Sequence, residues 1–414
     1  MSSPVSSAVP LRARLRGGAI GLVLVVACIA LLARPGAAGN ADWQPTPAGW
    51  ISGPIEHVKT VAEEAGGAID AVRHGNHLYV SSWRSFSIYD TSNAAAPQRL
   101  STTPLGPALY NEQPQTNGEI LLLSLDAQYL PRAPGAPAAG GVLEIWDVRD
   151  KTAPKRIGQY LSTMRDHLWT CLADCTYAYS AFGTIVDLRD PASPTKVGDW
   201  RSAAGVVPRL MHHIDEVAPG RVLVGSVPMF LLDTTDPLAP RRIATVTPPT
   251  TKPEVNALIA ESIPARVRWP QSAQDRFSVV SMETPFTGPC SGESGKLHTF
   301  DTTAWEETGT FSLVDSYQID SNGLFLDGRP PYNAIGCGSY GLSLHPSFAD
   351  GGMASVVFFE HGMRLLDVTS DGALEEIGGF LPHGGVSAVP LWITNDIVYV
   401  MDLHRGIDIL RVTR

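Results

Sequence analysis

The chain has 414 residues, 31 of them Lys or Arg and 41 Asp or Glu, giving a formal charge of -10 and a pI near 5.5. That balance excludes a nucleic-acid binder, which needs a basic surface to neutralise phosphates. With 44% hydrophobic and 17% charged residues the chain is too apolar for disorder, and 39 glycines with 33 prolines punctuate it into many short elements.

Residues 1–41 read as a targeting segment. Arg12, Arg14 and Arg16 precede the apolar run Ala19 to Ala33, and a proline with small residues follows. At 15 residues the run is shorter than the roughly 20 that span a bilayer. The expectation is a cleaved signal peptide ending near Ala38 to Ala41. An uncleaved signal anchor, or lipoprotein processing at Cys28, is the alternative. Without residues 1–41 the charge becomes -14, with 27 basic against 41 acidic residues. No later segment reads as a membrane span.

From there onward the chain repeats itself. A strand-like run ending in aspartate, with proline seven residues later, appears as SFSIYDTSNAAAP (Asp90, Pro97), VLEIWDVRDKTAP (Asp147, Pro154), GTIVDLRDPASP (Asp187, Pro194) and MFLLDTTDPLAP (Asp233, Pro240). Weaker copies are KLHTFDTTAW (Asp301), MRLLDVTSDGAL (Asp367) and GIDILRVTR, where Arg411 holds the aspartate position. Each follows another apolar run, such as HLYVSS or EILLLSL, and the complete motifs precede a further one, QRLST, KRIGQY, TKVGDW or RRIATV. An earlier run, such as AIDAV or MHHIDEV, brings the count to four short strands per unit. Proline suits the turn before a strand, and the aspartate suits an Asx turn that stops the previous one.

Seven four-stranded units at this spacing predict an all-β fold, a seven-bladed β-propeller of antiparallel blades filling residues 42–414. Long loops are expected in blades 2 (128–141), 5 and 6. The last motif ends at Arg414, so a strand within GWISGPIEHV (49–58) is expected to join the last blade and close the ring, with Trp50 and Ile51 as its apolar anchors.

Four cysteines follow the targeting segment. Cys171 and Cys175 flank a short LAD turn between two strands and are expected to face each other in a disulfide. By elimination Cys290 pairs with Cys337, a pattern that suits an oxidising compartment.

The motifs IYDTSNAAAP, IVDLRDPASP and LLDTTDPLAP, with GMRLLDV and the closing DIVYVMDLHRGIDILRV, resemble the LVIVD-repeat proteins over residues 65–414. The resemblance implies an exported propeller and carries no catalytic set. Gly362 and Gly406 match the glycine that begins the third strand in that family, whereas Ser85 and Pro228 depart from it.

The candidate chemistry is a set of histidines near blade starts: His57, His167, His213, His345 and His383. Gathered at one channel mouth they could hold copper, zinc or iron. His212 beside His213 would point to the opposite sheet face in a regular strand. Glu283, Glu360 with His361, Trp83 with Arg84 and His404 with Arg405 occupy equivalent turns that should share one face. GPCSGESGK lacks the second glycine and the Ser/Thr of a phosphate loop. The leading expectation is an exported binding module without a cofactor, contacting a cell-envelope protein or extracellular polymer; the alternative is a metal-dependent oxidoreductase using those histidines.

Overall fold

The computed structural model describes residues 43–63, 66–105, 112–125, 141–162, 166, 168–208, 210–249, 263–270, 275–283, 295–319 and 338–413. Their strands form seven antiparallel sheets arranged as the blades of a propeller. Strands are counted outward from the channel. Blade 1 is Ala68–His74, His77–Ser82, Ser85–Asp90 and Gln98–Pro104, and blade 2 is Gln115–Thr116, Ile120–Leu125, Val142–Asp147 and Lys155–Leu161. Blade 3 is Trp169–Leu172, Tyr177–Ser180, Thr184–Asp187 and Thr195–Asp199, and blade 4 is Leu210–Ala218, Arg221–Val227, Met229–Asp233 and Arg241–Val246. Blade 5 is Ile263–Arg268, Phe277–Glu283, Leu297–Asp301 and Ser312–Tyr317, and blade 6 is Leu342–Leu344, Gly352–Val357, Met363–Val368 and Leu374–Pro382. Blade 7 takes Ser387–Trp392, Ile397–Asp402 and Gly406–Val412, and its fourth strand is Ile55–Val61.

Each blade buries its faces only against its neighbours, so the core is a circle of interblade clusters. Phe86, Leu121 and Trp146 join blades 1 and 2, Leu143, Trp169 and Val186 join blades 2 and 3, and Tyr179, Ile214 and Phe230 join blades 3 and 4. Leu231, Val280 and Phe300 join blades 4 and 5, and Phe277, Val356 and Leu366 join blades 5 and 6. A larger cluster, including Phe359, Phe380, Tyr399 and Leu78, runs continuously through blades 6, 7 and 1. This is the stacking that a repeat unit with two apolar faces requires.

The repeated aspartates perform the turn role read from the sequence. The Oδ1 of Asp90, Asp147, Asp187, Asp233 and Asp301 accepts the backbone N–H two residues on, at 2.7, 3.1, 2.9, 3.0 and 2.7 Å. Asp150, Asp190 and Asp236 form a second such turn in the same loops. Arg411 needs none, because the strand beside it comes from the N-terminal segment, where Glu56 faces it at 3.1 Å.

The pairing of third with fourth strands carries one register shift in every blade, one to two positions before the repeat aspartate or its equivalent. The extra residue is Leu100, Ile157, Val197, Ile243, Val314, Ile377 and Val58 in blades 1 to 7, apolar each time. A bulge of this kind bends the outer strand and raises its twist. Its presence in Ile55–Val61 identifies that segment as a true fourth strand, so the ring closes as expected.

The anchors of that closure differ from expectation. Gly53 takes a left-handed backbone (φ 64°) and, with Pro54, splits GWISGPIEHV into two strands. Gly49–Ser52, carrying Trp50 and Ile51, pairs with Leu374–Pro382 as a fifth strand of blade 6, and Gln44–Pro45 adds a sixth. The N-terminal segment therefore clasps two adjacent blades. Gly362 and Gly406, both at positive φ, begin third strands where an added Cβ would meet the carbonyl oxygens of Phe380 and Val61 at 2.2 and 2.3 Å. Among the described residues no helix is long and apolar enough to cross a membrane.

Candidate functional site at the channel mouth

Antiparallel order sends the second-to-third turns and the blade-to-blade connectors to one face, here called the upper face. The Asx turns lie on the lower face. The loop segments 126–140, 284–294 and 320–337, which lie outside the described residues, all depart from the upper face.

At that face the first strands of blades 1, 4, 5 and 7 have register shifts, between Ala68 and Asp70, Met211 and His213, Pro264 and Arg266, and Ser387 and Val389. Bulges re-aim side chains, and four residues at or just after these bulges, Asp70, His212, His213 and Arg266, meet here. Arg266 of blade 5 pairs with Asp70 of blade 1 across the ring. Asp70 also accepts the N–H groups of Ala71 and Gln113, each at 2.7 Å. Gln113, at φ 53°, sends its Nε2 to the carbonyl oxygen of Ile214 at 2.5 Å, so one residue before blade 2 ties blade 1 to blade 4.

His212 is the bulged residue of blade 4. Its Nε2 lies 3.4 Å from Glu112 and 3.2 Å from Glu283, and its ring stands edge-on to Tyr340 at 6.0 Å. His213 is buried beside it. The bulge thus overturns the expectation that only one of the adjacent histidines could face this region. Asp215, two residues on, accepts the Thr170 hydroxyl at 3.2 Å.

The electrostatics follow from burial. Burial, then Arg266 and His212, pushes the His213 imidazole well below its ordinary range, so it is neutral at pH 7. Burial pushes Asp215 upward against the pull of Arg266. Burial would also discharge Arg266, but Asp70, Tyr340, Glu112 and Asp215 raise its pKa and hold the guanidinium charged.

Of the sequence candidates, His213 alone is placed in this cluster. His57 lies on the outermost strand of blade 7, bonded to Asp408 and Thr60 at 3.1 Å each. Its strand comes early in the chain, where it reads as a blade start, yet it completes the last blade. His345 lies past the far end of its first strand, toward the lower face, bonded to Ser347 at 2.7 Å and to the Asn395 carbonyl oxygen at 2.8 Å. His383 is exposed in the connector after blade 6. His167 lies outside the described residues. Among the described residues no group of three or more His, Cys, Asp or Glu side chains is placed to hold a metal ion. Glu283 joins the cluster, whereas His361 is buried in its turn, and burial, then Arg364, takes it down to about 4. Trp83 donates to the Leu403 carbonyl oxygen at 3.0 Å and laces blade 1 to blade 7.

Cys171 and Cys175 form a disulfide with Cα atoms 4.4 Å apart. Cys175 is not on the facing strand as the sequence suggested. It ends a turn in which Ala173, Asp174 and Cys175 all take positive φ, and Cys171 faces Ala178. Cys290 and Cys337 lie outside the described residues.

With this geometry in place, comparison with known proteins identifies architecture. No family model matches the chain. No curated protein matches it in sequence either. A solved structure of U3-55K is similar, with a TM-score of 0.55 at 8% identity over 86% of this chain and 98% of that one. At that identity the likeness shows the seven-bladed fold alone. Because 770 solved chains match in the same comparison, the architecture selects no ligand.

Proposed function

We propose that this chain is an exported propeller of the LVIVD-repeat kind, serving as a binding module that engages a cell-envelope protein or extracellular polymer through its upper face. The observation that carries this reading is the inequality of the two faces. Among the described residues the lower face carries short Asx turns, whereas the upper face gathers charged side chains drawn from blades 1, 4 and 5 and from the connector before blade 2, and the strand ends from which the long segments 126–140, 284–294 and 320–337 leave lie on it. A buried charge network costs desolvation and is weak evidence for stability, while loops held on a rigid scaffold are where binding residues concentrate. The Cys171–Cys175 bond and the N-terminal apolar run both suit export.

Two measurements test this. Protein recovered outside the cytoplasm should begin between Gly39 and Gln44; residues 1–41 retained on membrane-bound protein would select anchoring instead. The exported protein should co-sediment with isolated envelope or extracellular polymer, and Glu283→Ala with His212→Ala should release it while Asp150→Ala on the lower face does not. No association of the wild type with any of these fractions, or equal association by the upper-face variant, would defeat the reading.

A further inference from the structure

Four carboxylates, Asp70, Glu112, Asp215 and Glu283, surround the channel mouth. Arg266 is committed to Asp70, and His212 stands between Glu112 and Glu283. Asp215 has no ion-pair partner within 4 Å among the described residues; its contacts are the Thr170 hydroxyl and a backbone N–H. It keeps exposed surface although it sits on an innermost strand, which places it against the channel. Two further groups lack partners among the described residues. His213, 2% exposed, has no partner for Nδ1, and Gln113, 4% exposed, has none for Oε1. These two adjoin each other, because the Gln113 amide bonds the backbone of Ile214, the residue after His213. Buried polar atoms are rarely left unmatched unless something supplies the missing bond.

We propose that the channel mouth binds a small organic ammonium ion, a protonated primary amine, between Asp215, Gln113 and His213, with Glu112 and Glu283 lining its approach. The waiting groups are an amide oxygen, a carboxylate and a neutral imidazole nitrogen that can accept. An ammonium group carries three N–H donors and a positive charge that answers all three. An anion would meet a surplus of carboxylates, and a neutral ligand would leave Asp215, which feels Arg266 only at longer range, without a direct cation partner. Residues on the rim, His212 and Glu283, keep 14% and 18% of their side chains exposed, whereas Glu112 behind them keeps 3%, so access grades from open to buried. The buried Tyr340 ring, stacked on Phe359 at 4.8 Å, backs His212 on the approach.

This inference rests on the upper face being a binding face. Its test is calorimetric titration of the full exported protein with n-butylamine and 1,4-diaminobutane, with tetramethylammonium and butyrate as controls. Saturable one-to-one binding of an amine is expected, weaker or absent for tetramethylammonium, which has no N–H. Asp215→Asn and Gln113→Asn should each weaken it more than about tenfold, as loss of one partner in a buried charged contact does. Asparagine tolerates the positive φ of position 113. Glu307→Gln, on the lower face, should change nothing. If Asp215→Asn fails to fold, Gln113→Asn decides; if both fail, an amine-dependent rise in wild-type melting temperature that tetramethylammonium does not reproduce decides. No saturable amine binding, undiminished binding by a folded variant, or displacement of the amine by calcium or zinc at the same residues would overturn the proposal. Failure here with envelope association intact would remove the ammonium ligand and leave the binding module standing.

Discussion

Chains beginning at Trp43, Gly53 and Ala62 separate the two halves of the N-terminal clasp. Starting at Gly53 removes the strands on blade 6, with Trp50 and Ile51 half-buried there and Trp43 lying over the Arg364 guanidinium at 5.0 Å. At about 1.5 kcal/mol for each of these three half-buried large side chains, the loss is about 4.5 kcal/mol. Starting at Ala62 also removes Ile55, 5% exposed, with Val58 and Val61 packed on the same cluster, worth about 4 kcal/mol more by the same measure. It further strips Asp408, whose side chain is fully buried, of His57 and Thr60, leaving Arg405 as its remaining side-chain partner. Breaking a buried charged network costs about 3–5 kcal/mol. The second step therefore approaches the whole stability of a typical domain, about 5–15 kcal/mol. Thermal and urea unfolding should show a moderate loss for the Gly53 chain and collapse for the Ala62 chain, with proteolysis appearing first in Gly406–Val412. Equal stability of the Gly53 and Ala62 chains would refute the assignment of Ile55–Val61 as the closing strand.

Three other outcomes are expected. Arg266→Met should cost about 3–5 kcal/mol because it leaves Asp70 buried without its cation, while pairing it with Asp70→Leu should recover much of that loss in a urea-unfolding double-mutant cycle. The Arg149 side chain and backbone hold Asp147 at about 2, and the Thr235 side chain and backbone do the same for Asp233, so both are depressed in the fold. Their contribution is present above the unfolded value near 4 and is lost as pH falls toward 2; acid titrations of Asp147→Asn and Asp233→Asn should lose less stability across that window than the wild type. Non-reducing peptide mapping should link Cys171 to Cys175 and Cys290 to Cys337, and opening the first, which closes a very short loop, should cost no more than about 2 kcal/mol by chain entropy.

The fold was legible because its signal is local and repeated. An aspartate that stops a strand and a proline that precedes the next are decided within a dozen residues, and both behaved as read. The weaker copies became clear only through the outer strands, where EEIGG around Ile377, SLVDS around Val314 and EHVKT around Val58 carry the same apolar bulge as QRLST and KRIGQ. That pattern was present in the sequence and would have placed Ile55–Val61 without the structure. The dipeptide Gly53-Pro54 was also a breaker signal, and it assigns Trp50 to a separate strand. The cluster at the channel mouth was less accessible. Glu112 and Gln113 sit in a connector without periodicity, and Asp70 meets Arg266 only because five blades of ring geometry bring residues 196 positions apart together. The hint was a charged residue within an otherwise apolar first strand, in AIDAV and PARVR. Histidine position is a poor guide to the cluster: of the described candidates His213 reaches it, whereas His57 and His345 hold an outer strand and a turn.

The clasp also sets a timetable for biogenesis. His57 and Asp408 are 351 positions apart, so at about 5–20 residues per second the strand that completes blade 7 waits about 20–70 s between its own synthesis and that of its partner. During that interval blades 1 to 5 can form in order as they emerge, but blade 6 lacks its outer strands' docking edge and blade 7 does not exist. A segment rich in β-branched residues is thus held unpaired for longer than most domains take to fold, and in an exported protein it would emerge first on the far side of the membrane. The cell must keep Ile55–Val61 from pairing elsewhere until the last strand arrives, which makes this seam, rather than any single blade, the step at which misassembly competes with closure.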